Sequence, residues 1–152
     1  MEDMDVFRRY VAIADAIWRS VECWPSFPRD TVGRQLVRDA DSVGADLVEG
    51  DGRLTDPDAV RFFVIARASA RETRYWLERA ATRGLLDGSG ASEQIQALTE
   101  ATKILNRLIS YRRSAGTVVR EDCAGYDDPS PDDLVVGGLA ETDTPATRAP
   151  TA

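Results

Sequence analysis

The chain has 152 residues, a formal net charge of −7, 43% hydrophobic and 7% aromatic residues. That length suits one domain, or one domain with a tail, and the abundance of Ala, Leu, Val and Arg favours helices over sheets. Histidine is absent and cysteine occurs twice, which removes Ser-His-Asp and Cys-His nucleophiles and imidazole metal sites, and argues against a zinc centre or a disulfide framework.

No apolar run approaches the ~20 residues that cross a bilayer; the longest, Phe62-Phe63-Val64-Ile65-Ala66, is cut by Arg67. The N-terminus MEDMDVFRRY is acidic and then amphipathic, unlike a signal peptide, so no membrane association and a cytoplasmic location are expected. Residues 1–115 hold 17 basic and 18 acidic side chains, and residues 116–152 hold 2 and 8. The acidity therefore sits at the C-terminal end.

Four helices follow in chain order. The first is expected from about Met4 to Cys23, with Phe7, Tyr10, Val11, Ala14, Ile17, Trp18 and Val21 on one 3.6-residue stripe. Trp24-Pro25-Ser26-Phe27-Pro28 ends it, because proline cannot continue the hydrogen-bond ladder. The second begins near Asp30 or Thr31 as cap and buries Val32, Leu36, Ala40, Val43, Leu47 and Val48. Gly50 is expected in the left-handed position that closes it. The third starts at Thr55-Asp56-Pro57 and runs to Arg83, stopping at Gly84. The fourth is expected from a Ser92 cap, with Ile95, Leu98, Ala101, Thr102, Leu105, Leu108 and Ile109 along it. Four long amphipathic helices joined by short loops predict an all-α, antiparallel four-helix bundle over residues 1–115. Residues 116–152, rich in Gly, Pro, Thr and Asp, read as a disordered acidic tail with one apolar island, Leu134-Val135-Val136.

The stretch Gly50-Asp51-Gly52-Arg53 raises the question of a phosphate loop. Such a loop follows a strand and opens directly into a helix. Here a helix precedes it, the glycines lie several residues ahead of the next one, and Glu49, Asp51, Asp56 and Asp58 would repel a phosphate. The stretch is read as a plain helix–helix connection.

The same region carries a family resemblance. Phe27-Pro28, Arg34 and Arg38, the segment Ser42-Val43-Gly44-Ala45-Asp46-Leu47-Val48-Glu49-Gly50, Gly52-Arg53, and Phe62-Phe63 with Ala66-Arg67 resemble the four-helix-bundle proteins encoded in intervening sequences of bacterial 23S ribosomal RNA genes. The similarity covers about residues 5 to 113. Glu-Gly-x-Gly-Arg with Phe-Phe downstream is its most specific part. The family's Asn falls at Asp46 and its Ala at Val48, and Arg71 and Arg74 add positive charge to the third helix. The resemblance implies a homo-oligomer, a pentameric ring, similar to the accessory subunit of diversity-generating retroelements, which binds nucleic acid and a reverse transcriptase. It implies no catalytic residues and no cofactor.

The third helix is the most basic segment. Arg67, Arg71 and Arg74 share one face by their i, i+4, i+7 spacing, and Arg34 and Arg38 share a face of the second helix. Arginine grips phosphates bidentately and stacks on bases, so these five are the candidate nucleic-acid-binding residues. The competing reading is a solvated face with pairs such as Arg74–Glu78, or salt bridges between subunits; the nearly neutral core fits it, because non-specific binding comes from phosphate neutralisation. A carboxylate metal site on the second helix (Asp39, Asp46) lacks the histidines such bundle sites use. Trp18, Trp24, Trp76 and Tyr75 are read as core or subunit interface. The expected function is a non-enzymatic, oligomeric helical-bundle adaptor that contacts structured RNA or an RNA–protein complex. A protein–protein scaffold without nucleic acid is the alternative.

Overall fold

The computed structural model describes residues 2–123, with side-chain environments for residues 5–115. Four long helices, α1 (Glu2–Glu22), α3 (Arg34–Asp51), α4 (Asp56–Thr82) and α5 (Gly88–Cys123), form the predicted antiparallel four-helix bundle. A short turn α2 (Ser26–Pro28) and a π-turn (Arg29–Gly33) lead into α3. The described residues contain no strand. Helix α1 packs on α3 and α5, and α4 packs on α3 and α5. The order around the bundle is therefore α1, α3, α4, α5, and the α1–α3 groove lies opposite the α4–α5 groove.

Helix α5 runs on through Cys123, so its backbone takes in residues 116–123 of the segment whose composition reads as a tail. Residues 124–152, and the disorder expected of them, lie outside the described residues.

The core is a single cluster of Tyr10, Ile17, Leu36, Val43, Phe63, Leu77, Leu105 and their neighbours. Tyr10 is almost fully buried, and its hydroxyl shares a hydrogen bond with Thr102 Oγ1 at 3.1 Å. Burial pushes the phenol up to about 12. The stripe of α1 is rotated from the expected one. Tyr10, Ala14, Ile17 and Val21 of the expected stripe are buried and Phe7 packs against the core, Val6 and Ile13 join them, and Val11 and Trp18 are exposed. A set at 3- and 4-residue spacing fits more than one face, and only tertiary packing selects between them.

Three helix ends differ from the sequence reading. The chain turns helical at Ser26, ahead of the expected caps. Pro28 fits there because its missing N–H belongs to the first turn, where no intrahelical partner exists. Asp30 therefore makes no cap, and the Thr31 hydroxyl donates instead to the Phe27 carbonyl at 2.7 Å. Gly50 does not adopt the left-handed conformation; Gly84, with φ +71°, is the only described residue that does. There the Leu85 N–H reaches the Ala80 carbonyl and the Gly84 N–H the Ala81 carbonyl, both at 3.0 Å, the paired bonds of a Schellman ending. The cap of α5 is Asp87, whose carboxylate accepts from the Gly90 N–H and the Ser89 hydroxyl. Those bonds hold its carboxyl below the usual range. Ser92 lies inside the helix, donating to the Gly88 carbonyl. The start of α4 is as expected: the Thr55 hydroxyl oxygen accepts from the Asp58 N–H, and Pro57 sits in the first turn.

Glycine on α3 marks close approach. A Cβ at Gly50 would lie 2.6 Å from Phe63 Cε1 and 3.1 Å from the Ala59 carbonyl oxygen, and one at Gly33 would lie 2.5 Å from Val21 Cγ1. Gly50→Ala should therefore destabilise the bundle by about 1–3 kcal/mol through overpacking. Gly88→Ala, where a Cβ meets nothing within 4 Å, should be near neutral. Urea unfolding followed by circular dichroism checks the pair; equal midpoints would remove Gly50 from the packing argument.

Candidate functional site

The five candidate arginines do not form one surface. Arg67, Arg71 and Arg74 flank the buried Ala66, Ala70, Thr73 and Leu77 stripe of α4 and lean toward α5. Arg67 Nη1 donates to Asn106 Oδ1 at 3.3 Å. Arg71 and Arg74 line a groove of about 240 Å³ together with Lys103 and Asn106, over a floor that includes Ala70, Leu98 and Thr102. Arg74 Nε pairs with Glu78 Oε1 at 2.9 Å, and Lys103 Nζ with Glu100 Oε1 at 2.7 Å. Both pairs lie on the surface and are worth little. Arg71 has no partner among the described residues. Lys103 and Asn106 were not among the candidates; their signal in the sequence is a 3-residue spacing on the polar side of α5.

Arg34 and Arg38 sit on the opposite side of the bundle. They rim a cleft of about 410 Å³ between α1 and α3, with Arg29, Trp18, Val21 and Val37. The cleft is apolar, and Trp18 at its edge is 57% exposed. Val11 lies seven residues before Trp18, and Val48 eleven after Val37, so each falls on the same stripe of its helix; both are exposed. Trp24 is buried and Trp76 packs against the core, with Tyr75 edge-on to it at 5.0 Å. Trp18 and Tyr75 are thus the exposed members of the aromatic set.

Arg38 has a structural task as well. Its Nε and Nη2 both donate to Asp39 Oδ1 at 3.1 Å, and the Asp39 side chain is only 5% exposed. A carboxylate removed from water needs such partners. The remaining acids of α3 are not gathered. Asp46 lies near Ser69 of α4, and Asp41 near Asp15 of α1. Partial burial raises the carboxyls of both. Among the described residues, no group of three or more acid, Cys or His side chains could hold a metal ion.

The Gly50–Arg53 stretch is a joint. Arg53 pairs with Glu49, and its guanidinium lies 4.3 Å from the centre of the Phe62 ring. Gly50 lets Phe63 in. Arg112 Nη1 from α5 donates to Asp56 Oδ1 at 3.0 Å, and its Nη2 lies 3.8 Å from Asp51. The Gly52 and Arg53 N–H groups are taken by the Val48 and Gly50 carbonyls. The loop connects helices, as its sequence context indicates.

This is an up-and-down helical bundle with arginine-rimmed grooves on opposite sides. The chain belongs to the family of 23S rRNA-intervening sequence proteins, whose family model matches residues 2–107. No curated protein matches it. Among solved structures, it is similar to a protein of unknown function from the S23 ribosomal protein family of Bacteroides thetaiotaomicron. The two share 23% identity and a TM-score of 0.68, over 72% of this chain and 99% of that one. That likeness establishes the fold. No described helix is long and apolar enough to cross a membrane.

Two outcomes follow from this geometry. Arg38→Ala should cost about 1–3 kcal/mol by leaving the Asp39 carboxylate without its partner, whereas Arg34→Ala should change the urea midpoint little. Equal effects would place Arg38 on the surface only. Asp46→Asn should stabilise at pH 7 by a few tenths of a kcal/mol, the exposed setting screening most of the effect. A carboxyl raised in the fold contributes stability below its unfolded value and loses it as pH rises through the folded one. The advantage of Asn should therefore shrink as the pH falls through the raised Asp46 titration, and a gap independent of pH would overturn the assignment.

Proposed function

We propose that this protein is a non-catalytic, self-associating bundle that contacts structured RNA, or an RNA–protein complex, through the α4–α5 groove. The separation of the five arginines carries this reading. The α1–α3 side presents Trp18 at its cleft, with the exposed Val11 and Val48 further along the same helices. Exposed apolar side chains gathered in that way suit contact between subunits. The α4–α5 side presents Arg67, Arg71, Arg74 and Lys103 around a floor that includes Ala70 and Leu98, and that cationic rim suits a phosphate backbone. Arg34 and Arg38 would then serve the subunit contact, and not RNA. In a ring of five copies, weak basic grooves would be linked, and linkage raises effective concentration without any stronger single contact. A nearly neutral bundle needs that help. A reverse transcriptase of the retroelement kind is one RNA–protein partner consistent with this architecture.

A protein scaffold without nucleic acid is favoured by a different observation: Arg74 and Arg67 are already engaged, with Glu78 and Asn106. The two readings separate in fluorescence anisotropy with a labelled 23S rRNA hairpin across a salt series. Under the RNA reading, affinity falls with salt, with a log–log slope of about 0.7–0.9 per phosphate contacted. Arg67→Ala/Arg71→Ala/Arg74→Ala should abolish it, and Arg34→Ala should not, provided that the oligomer is intact by light scattering. No binding at low salt would leave the scaffold reading.

A further inference from the structure

Several grooves on this bundle combine apolar lining with cationic side chains: the α1–α3 cleft, the α4–α5 groove, and one lined by Phe27, Val32, Trp76 and Leu85 with Arg34 and Arg83, at the end of the bundle where α5 starts and so farthest from Cys123. Outside the described residues, the chain carries one segment of matching chemistry. Residues 124–152 hold six acidic side chains and one basic one. Within them, Asp132-Asp133 directly precedes Leu134-Val135-Val136. Two carboxylates followed by three aliphatic side chains complement a groove with a floor of Ala70 and Leu98 and a rim of Arg71, Arg74 and Lys103.

Chain length chooses between the grooves. From Cys123 back to Asn106 along α5 is 17 residues, or ~26 Å of helix. Residues 124–134 extend at most ~40 Å. Leu134 can therefore return to the α4–α5 groove. The α1–α3 cleft lies further away. Gln94 Nε2 of α5 meets Ser20 Oγ of α1 at 3.2 Å, so Val21 in the cleft is level with the start of α5. That is ~44 Å of helix from Cys123, before the chain crosses the bundle. Asp132 and Asp133, at most ~36 Å along the chain from Cys123, cannot reach the arginines of that cleft.

We propose that Asp132-Asp133-Leu134-Val135-Val136 docks in the α4–α5 groove of its own chain, with its carboxylates on Arg71 and Arg74 and its aliphatic side chains on the floor. Arg71 is the member of that rim with no partner among the described residues, and it is the cation a carboxylate would engage at least cost. The docking rests on the groove alone. Its consequence, that the segment competes with RNA for the groove, rests on the RNA reading above.

The test uses the full chain with Cys23→Ser and Cys123→Ser. Val135→Cys is combined with Asn106→Cys in the groove, or with Arg34→Cys at the cleft as the comparison. Mild oxidation should give a bridge within one chain for the Asn106 pair, seen on a non-reducing gel and by peptide mass. The Arg34 pair should give little, and Asp132→Asn/Asp133→Asn should lower the first yield several-fold. Equal yields for both pairs, or bridges only between chains, would overturn the proposal. In a separate titration, Asp132→Asn/Asp133→Asn in the otherwise natural chain should bind the rRNA hairpin about three- to tenfold more tightly at low salt, the range expected for losing two exposed charge pairs. An efficient Asn106 bridge with no RNA binding by any variant would retire the RNA reading and leave the docking standing.

Discussion

The bundle depends on how closely α3 can lie against α4, and that distance is set by the absence of a side chain at Gly50. The Phe63 ring occupies the space a Cβ would need. With the two helices seated there, Arg53 covers Phe62, and Arg112 of α5 reaches Asp56 at the start of α4. One missing methyl group thus fixes three helices at one end. At the other end, Gly33 does the same for α1 by admitting Val21, and the π-turn that contains it brings Arg29 and Arg34 to the cleft. The placement of the arginines on two sides follows from this seating. Arg34 and Arg38 are carried by α3 toward α1, and Arg67, Arg71 and Arg74 are carried by α4 toward α5.

Much of this is legible in the residues. Thr55 with Pro57 announces the start of α4, and Gly84 its end, because capping and the left-handed turn are local chemistry. The four-helix class follows from periodicity. Gly50 and Ser92 show where local reading stops. Gly50 stands at the right place for a left-handed cap, but its use is the approach of Phe63, thirteen residues further on, which no local rule reports. Ser92 is a good capping residue, yet Asp87 is equally good and comes first, so α5 starts there. Trp18 illustrates the same limit on the functional side. Its spacing suits the core stripe of α1, and only the rotation of that helix exposes it.

The arginine stripe was legible as a face, because i, i+4, i+7 spacing defines one on any helix. Its surroundings were not. Asn106 and Lys103 join it from a helix 30 residues away in sequence, and the Asp39 carboxylate that claims Arg38 gives no sign in the sequence that it is buried. Neighbours of that kind decide what an arginine is free to do. Arg38 is held by a buried acid, Arg74 by an exposed one, and Arg71 by none among the described residues. A count of positive charges treats the three alike, although the first is anchored by the fold and the last is available.

That difference bears on how a bundle with balanced charge could select a polyanion at all. Salt-bridged arginines on the surface give up little when they exchange a carboxylate for a phosphate, since the exposed pair is weak; a buried pair cannot make the exchange without leaving an ion in the core. The α4–α5 groove contains no buried pair: Arg74 and Lys103 hold exposed carboxylates, and Arg71 holds none among the described residues. Under the proposed RNA reading, its attraction for a phosphate would be modest for one copy and graded by competition with carboxylates. Repetition around an oligomer would restore affinity, and any acidic segment able to reach the groove would lower it. Weak, exchangeable arginines on a rigid helix thus suit a surface whose occupancy is set by what else is present, more than one built for tight binding by a single subunit.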